Sequence, residues 1–340
     1  GELLMKVERI DEDRLVCSVI TSGLMGSRRH INLPGVRLNL PALTEKDISD
    51  IGVAAECEAD FVAGSFVRDA GHVRKLRAAL EAEGSEAEIV SKLEDQEAIR
   101  HLDDIIQESD IIMVARGDLG IEVHVEELPI IQRRIVKRCH QLGRRVIVAT
   151  HMLESMTENP TPTRAEVTDV SNAVYEEADA IMLSGETTVG KYPIRCVQLM
   201  DRVARRIERS GGLGYGKEAT LRTEKQKVIQ AACGLADSIP HALLAVFTRS
   251  GFTAHQAALL RPRSPIFAFT PQSSLCSKFT LSRGVRSFKV KFDEQPRKTI
   301  ANAIHFLQQE RELEEGTPII VVSEIHREGA AVDVILVEHS

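Results

Sequence analysis

The sequence predicts an α/β fold: a partial TIM (β/α)8 barrel with five of the eight βα units, followed by a mixed-sheet α/β C-terminal domain. Three observations predict it. Short apolar runs alternate with helix-period stretches five times between residues 35 and 212, which is the pattern of parallel βαβ units. Each apolar run stops at polar residues able to do chemistry, as barrel strands do at their carboxyl ends. Ser210-Gly211-Gly212-Leu213-Gly214 then interrupts the rhythm, and a second alternation of strands and helices starts beyond it.

The elements follow in order. Residues 2–10 and 14–21 are β-rich runs separated by Asp11-Glu12-Asp13, a hairpin or two adjacent strands. Thr21-Ser22-Gly23 and Gly26 loosen the chain, and Asn32-Leu33-Pro34-Gly35 marks a turn. The resulting units are 1–34, a barrel portion 35–212 and a C-terminal domain 213–340. In the barrel portion Thr44 is placed to N-cap a helix that continues through 48–55. Strands are expected at 61–65, 88–92, 111–115, 145–150 and 180–184, with helices at 70–83, 96–108, 128–142 and 193–210. The run 111–115, Ile-Ile-Met-Val-Ala, is apolar throughout, as a strand buried on both faces requires. Five strands do not close a barrel, so an apolar edge should stay open. Beyond residue 213, helices are expected at 224–238, 253–260 and 297–311. Strands are expected there at 243–247, 266–269, 285–290, 319–322 and 332–337.

Composition narrows the function. The chain has 340 residues, room for two domains at ~100–200 residues each. Its 43% hydrophobic content supports a real core. A net charge of −7, no Trp and three Tyr argue against nucleic-acid and anionic-membrane partners. Arg202, Arg205, Arg206 and Arg209 are spaced as a solvated helix face. Cys17, Cys57, Cys139, Cys196, Cys233 and Cys276 are scattered, with none at metal-ligand spacing. Reduced cysteines and a cytoplasmic location are therefore expected. No apolar run approaches the ~18 residues of a membrane span, and no signal peptide is recognisable.

The strand ends carry Ser65 and Arg68; Lys92 and Glu94; Arg116, Gly117 and Asp118; Thr150; Ser184 and Glu186. Any one of these has an ordinary structural explanation. Five consecutive strand ends of this kind point to an active site. Glu94 and Asp118 come from neighbouring strands and could share one hard cation, Mg²⁺ or Mn²⁺. Lys92 beside it could neutralise a phosphoryl group or an enolate. Ala115-Arg116-Gly117 opens a turn whose N–H groups can face a carboxylate. Taken alone, these features describe a metal-assisted barrel enzyme acting on an anionic, enolate-forming or phosphorylated substrate.

Longer motifs sharpen this. Ser91-Lys92-Leu93-Glu94, Met113 to Gly120 (Met-Val-Ala-Arg-Gly-Asp-Leu-Gly), Ala149 to Met156 (Ala-Thr-His-Met-Leu-Glu-Ser-Met), Asn159 to Val170 (Asn-Pro-Thr-Pro-Thr-Arg-Ala-Glu-Val-Thr-Asp-Val) and Met182-Leu183-Ser184-Gly185-Glu186-Thr187 resemble, in order, the motifs of the pyruvate kinase family. The resemblance implies transfer of phosphate between phosphoenolpyruvate and ADP, giving pyruvate and ATP. It implies that Lys92 stabilises the phosphoryl group and enolate, and that Glu94 and Asp118 ligate Mg²⁺ or Mn²⁺. Ala115, Arg116 and Gly117 would hold the substrate carboxylate, with Asp118 beside them. Thr150 would help deliver the proton to the enolate, and Glu186 would belong to the proton-relay region. The C-terminal loop Thr248-Arg249-Ser250-Gly251-Phe252-Thr253 resembles the family's effector loop. Thr248, Arg249, Ser250 and Thr253 are its candidate phosphate contacts.

The resemblance also implies departures. Residues 1–34 are similar to only the end of a β-rich lid domain. A family member would carry three more barrel strands, with an Arg for phosphate, the ligands of a monovalent cation such as K⁺, and much of the nucleotide site. The expectation is thus a fragment with little turnover by itself. His151 stands where the family usually has Gln. The late segment 324–330, read as a loop, lacks the Gly-rich pattern of members responsive to fructose 1,6-bisphosphate, so that response is not expected. A homo-oligomer is implied, since the full-length family is tetrameric. The rival readings are a lyase or aldolase on the same barrel, and a non-catalytic paralogue or assembly subunit.

Overall fold

The computed structural model describes residues 3–27, 31–33, 35, 36, 41–310, 312–327 and 330–340. The predicted turn at Asn32 to Gly35 thus falls partly outside the described residues, at Pro34. β1 (Met5–Ile10) and β2 (Leu15–Val19) pair antiparallel as a hairpin. The carboxylate of Asp11 collects Arg9 at 2.9 Å and Arg14 at 3.3 Å and so ties the turn. Both faces of this ribbon meet solvent, and Ile10 and Val19 are exposed.

The next sheet holds β3 (Phe61–Gly64), β4 (Glu88–Leu93), β5 (Ile111–Ala115), β6 (Arg145–Ala149) and β7 (Ala180–Met182), all parallel. Spatial order equals chain order. Every crossover therefore advances in one direction, as in a barrel wall rather than a doubly wound sheet. Side-chain alternation sets the two faces. Ile112 and Val114 of β5 pack with Ile89, Leu93, Val146 and Val148 against the helices, while Ile111 and Met113 join Val90, Ile147 and Ala149 on the opposite face. All five residues of β5 and of β6 are buried, whereas β3 and β7 are only partly covered. These are the expected edges, since β3 and β7 have no second partner among the described residues.

Local chemistry explains the helix starts. Thr44 and Asp47 form a capping box on Glu45–Glu56, and Thr163 and Glu166 form one on Arg164–Tyr175. Gly143, at φ 73°, ends Leu128–Leu142 in the left-handed conformation that suits glycine. The helix expected over 96–108 is two, Gln96–Arg100 and Leu102–Glu108, because His101 at ψ 22° interrupts the hydrogen-bond ladder. Arg202, Arg205, Arg206 and Arg209 do lie exposed on or just after Pro193–Glu208. No helix among the described residues is long and apolar enough to cross a membrane.

The second sheet has the order β10 (Val285–Lys289), β9 (Ile266–Thr270), β8 (Leu243–Phe247), β11 (Pro318–Arg327), β12 (Ala330–His339). Only β12 runs antiparallel to its neighbour, so the sheet is mixed. One face packs on Glu224–Ser238 and Phe252–Leu259 through Ile229, Ala232 and Ala257. The other packs on Pro296–Gln309 through stacked phenylalanines, Phe247 and Phe269 lying 4.8 Å apart. Residues 324–327 and 330, read above as loop, belong to β11 and β12, whose pairing runs as far as Arg327 with Ala330. Cross-strand backbone pairing, which composition does not report, decides their state.

Charged side chains fill the seam between the amino ends of the first sheet and the C-terminal domain. Arg261 pairs with Asp179 at 2.9 Å and donates to the carbonyl of Glu177 at 2.8 Å. Asp179 also accepts the Val146 N–H at 2.9 Å, as Asp110 accepts that of Ile89. Arg145 reaches Glu88 at 2.6 Å and the carbonyl of Lys278 at 3.2 Å. His140 sits in the same seam, bonded to the Glu177 carbonyl at 2.9 Å. Burial, and after it the Arg261 charge, pushes its pKa down to about 4.

Candidate active site

Parallel register brings the carboxyl ends of β3 to β7 into one row. At β4, Lys92 lies 2.8 Å from the Ser65 hydroxyl of β3's end and 2.6 Å from Glu94 Oε1. Glu94 is 1% exposed. Its Oε2 accepts the N–H of Phe66 at 2.5 Å, a residue turned to φ 50°. Its Oε1 meets Lys92 as an ion pair off the hydrogen-bond line, and has no hydrogen bond among the described residues. A buried carboxylate oxygen with spare lone pairs is one that a cation can use.

β5 passes directly into the helix Arg116–Glu122, with Ala115 as its N-cap. No side chain caps this helix, so its first N–H groups are left for an anion. Asp118 stands in this first turn, half-buried, and makes no hydrogen bond or ion pair among the described residues. Gly117 is required sterically: a Cβ there would lie 2.9 Å from the Thr150 methyl. The Arg116 side chain turns away to the next strand. It is 7% exposed and bonds the Ala149 and Thr150 carbonyls and the carboxylate of Asp169.

β6 ends in two consecutive left-handed residues, Thr150 at φ 76° and His151 at φ 54°. For β-branched Thr150 this conformation costs about 1–3 kcal/mol. His151 is exposed and lies 3.6 Å from Glu154. Glu186, 3% exposed, accepts the Leu153 N–H at 3.0 Å and the Ser184 N–H at 2.8 Å. It thereby stitches the end of β6 to that of β7. Glu166 does the same between loops, accepting from the Ser155 N–H at 2.7 Å and from its hydroxyl at 2.5 Å. Burial raises the Glu166 pKa, but the bonds from Ser155 and Thr163 outweigh it and leave the carboxyl below its usual range.

The structure thus gathers Ser65, Lys92 and Glu94 into one group, and Gly117, Arg116 and Thr150 into another. Glu186 braces the segment after Thr150 through the Leu153 N–H. A cavity of about 740 Å³ opens beside β3, walled by Ile51, Val62, Leu76 and His72 and touching Ser65 and Phe66. Ser65 and Arg68 at the end of β3 line it, whereas Lys92, Asp118 and Thr150 do not, so it adjoins the row of strand-end groups at its β3 end. No group of three or more His, Cys, Asp or Glu side chains suited to a metal occurs among the described residues. Two carboxylates still fit Mg²⁺ or Mn²⁺, which take one or two protein carboxylates and complete their shell with water and phosphate oxygens. Sequence reasoning missed Asp169, Gln132 and the Phe66 N–H. Asp169 lay inside a quoted motif, whereas nothing marked the other two.

Comparison with known proteins fits this geometry. The pyruvate kinase barrel-domain family matches residues 1–197, more than half of the chain, and the pyruvate kinase alpha/beta-domain family matches 226–337. A pyruvate kinase of Clostridium acetobutylicum is 39% identical over 292 residues, covering 84% of this chain and 61% of the relative. Plastidial pyruvate kinase 3 of Arabidopsis thaliana is 39% identical over 325 residues, covering 95% and 57%. The chloroplastic pyruvate kinase isozyme G of Ricinus communis is 38% identical, covering 95% and 78%. The chain spans about three fifths of the length of the first two. These matches set aside the lyase and aldolase readings: the chain belongs to the pyruvate kinase family.

Proposed function

We propose that the chain contributes to pyruvate kinase chemistry, phosphoenolpyruvate and ADP going to pyruvate and ATP. The observation that carries this is the row Lys92–Glu94, Gly117–Asp118 and Thr150 at consecutive strand ends. The substrate carboxylate lies on the uncapped helix start, held by N–H groups at Ala115, Arg116 and Gly117. Lys92 faces the bridging and phosphoryl oxygens and offsets their negative charge as the P–O bond to the enol oxygen breaks and one to the ADP β-phosphate forms. Thr150 passes a proton towards the methylene carbon of the enolate, which becomes the methyl of pyruvate. Glu186, with both oxygens on backbone N–H groups, keeps the strand ends in register for that transfer. Mg²⁺ or Mn²⁺ held by Glu94 and Asp118 would supply Lewis-acid stabilisation of the phosphoryl oxygens. A monovalent cation such as K⁺ would take its ligands from outside this chain.

The same reading extends to the other units. We keep 1–34 as the end of the lid, 35–212 as the barrel portion and 213–340 as the C-terminal domain. The strand order reverses between β8 and β11, where open α/β sheets bind ligands. The loop Thr248, Arg249, Ser250 and Thr253 lies at that point and is proposed as a sugar-phosphate contact. Arg249 stacks 4.9 Å from the Phe292 ring, and the Thr248 hydroxyl accepts the Gly251 N–H at 3.0 Å. A homo-oligomer in the cytoplasm completes the proposal. The relatives include both plastidial and bacterial enzymes, and the six cysteines are free thiols suited to a reducing compartment.

The test follows pyruvate formed from phosphoenolpyruvate, ADP and Mg²⁺. It uses this chain, and this chain joined to the part of the Clostridium acetobutylicum relative that it does not cover. Turnover in either form is the expected result. Turnover in neither overturns the reading.

A further inference from the structure

We propose that Asp169, acting through Arg116, is a positioning residue that fixes the backbone of Thr150. The consequence for turnover rests on the phosphotransfer reading above, whereas the geometry does not. Thr150 and His151 leave β6 at φ 76° and 54°, a conformation that a β-branched residue keeps only when its surroundings impose it.

Arg116 imposes it from one side. Its Nε donates to the carbonyls of Ala149 and Thr150, each at 3.1 Å, and its Nη2 donates again to Thr150. Its Nη1 points the other way, 2.7 Å from Asp169 Oδ1 and 3.4 Å from Gln132 Oε1. Gln132 is itself held, donating to the buried Glu176 at 2.8 Å. Gly117 imposes it from the other side, where the Thr150 methyl occupies the space a Cβ would need. One helical turn therefore draws in the carbonyl of Thr150 and seats its methyl.

The guanidinium is nearly covered, so it needs a countercharge, and its rigid fork needs an anchor that fixes which acceptors it meets. Asp169, on Arg164–Tyr175, supplies both. Without that carboxylate the fork is free to turn, and the conformation of Thr150 loses its support. The Thr150 hydroxyl is thus aimed by a residue that touches no reacting atom.

Amide hydrogen exchange on the full chain tests this without requiring turnover. In Asp169→Asn, exchange at Leu153 and Met156, whose N–H groups are held just beyond the turn by Glu186 at 3.0 Å and by the Leu153 carbonyl at 2.9 Å, should rise about tenfold or more while β5 and the second sheet keep their protection. Asp169→Glu, which retains the carboxylate, should restore protection at those two amides. Should Asp169→Asn not fold, Arg116→Lys carries the same expectation, because an ammonium cannot span both carbonyls. Unchanged exchange at Leu153 in the folded variant, or loss spread evenly over the molecule, overturns the proposal. In the form that turns over, Asp169→Asn should lower kcat about 100-fold, the usual cost of a misplaced group, with KM for phosphoenolpyruvate within about threefold. A shift in exchange with no turnover in any form would leave the positioning intact and remove only the phosphotransfer reading.

Discussion

The two ends of the first sheet use charge in opposite ways. At the amino ends, charged side chains are consumed in structure. Asp110 and Asp179 accept N–H groups of neighbouring strands, Arg145 reaches Glu88, and Arg261 closes on Asp179. At the carboxyl ends, capacity is left open. Asp118 has no partner among the described residues and the helix after β5 starts uncapped, whereas Glu94 Oε1, like Asp179 Oδ1 at the other end, meets its cation only as an ion pair. Paired buried charges hold a fold in one arrangement, whereas buried charges kept short of partners bind and react. Thr150 belongs to the second end in another sense, since its backbone strain is held by neighbours.

The sharpest way to break this comparison is at Lys92. Lys92→Met should lower turnover at least about 1,000-fold, as expected when a preorganised charge at the transferring group is removed. Glu94 would keep the Phe66 N–H but lose its cation, so stability should fall by about 1–3 kcal/mol while the fold remains. Steady-state kinetics and urea unfolding read the two effects separately. Turnover within tenfold of the parent would take Lys92 out of the mechanism.

Arg261→Met probes the opposite end. Removing one partner of a buried ion pair leaves Asp179 uncompensated and should cost about 3–5 kcal/mol. Urea unfolding measures the loss. A cost below about 1 kcal/mol, the range of exposed ion pairs, would mean that the seam is wetter than the 0% exposure of the Asp179 side chain implies.

Much of this contrast was readable in the sequence, and the rest was hidden for physical reasons. β5 and β6 were legible because continuous apolar runs admit few alternatives, and Lys92, Glu94 and Asp118 were legible because they follow those runs. The helix Arg116–Glu122 was not, since Gly117 and Gly120 are poor helix formers and one short segment carries little periodicity. Arg164–Tyr175 could have been read from its capping box, Thr163 with Glu166. The left-handed turn at Thr150 could not. It is set by Arg116, 34 residues away in sequence, and no local pattern reports that contact. Residues 324–327 looked like loop by composition, while pairing with β12 makes them strand.

Acid should weaken the amino-end seam. His140 is held neutral, its pKa pushed down to about 4 by burial and then by Arg261, and His255 is pushed to about 3 by burial and then by Arg145. In the unfolded chain both return towards about 6.5. The unfolded state therefore binds more protons below that value, and stability falls as pH drops from 6.5 towards 4. Urea midpoints at pH 7 and pH 5 should differ, and His140→Gln should reduce the difference. A midpoint independent of pH over that window, or equal sensitivity in His140→Gln, would assign the seam's stability to groups other than these histidines.

The smallest effect tests where the open end stops. His151 directly follows Thr150, shares its left-handed backbone, and stands where the family usually has Gln. Its side chain is 57% exposed and, among the described residues, its one ion-pair contact is Glu154, 3.6 Å away and also in solvent. An exposed contact of that length contributes little, and Gln, like His, is unbranched at Cβ, so the backbone strain is unchanged by the exchange. His151→Gln should therefore alter stability by no more than about 0.5 kcal/mol, and turnover should stay within about threefold, less than half a pH-unit equivalent of free energy. A change beyond tenfold in kcat would place the imidazole among the groups acting on the substrate. The reactive end would then extend past Thr150 into a solvent-facing residue, and burial could no longer mark the limit between the groups that react and those that merely support them.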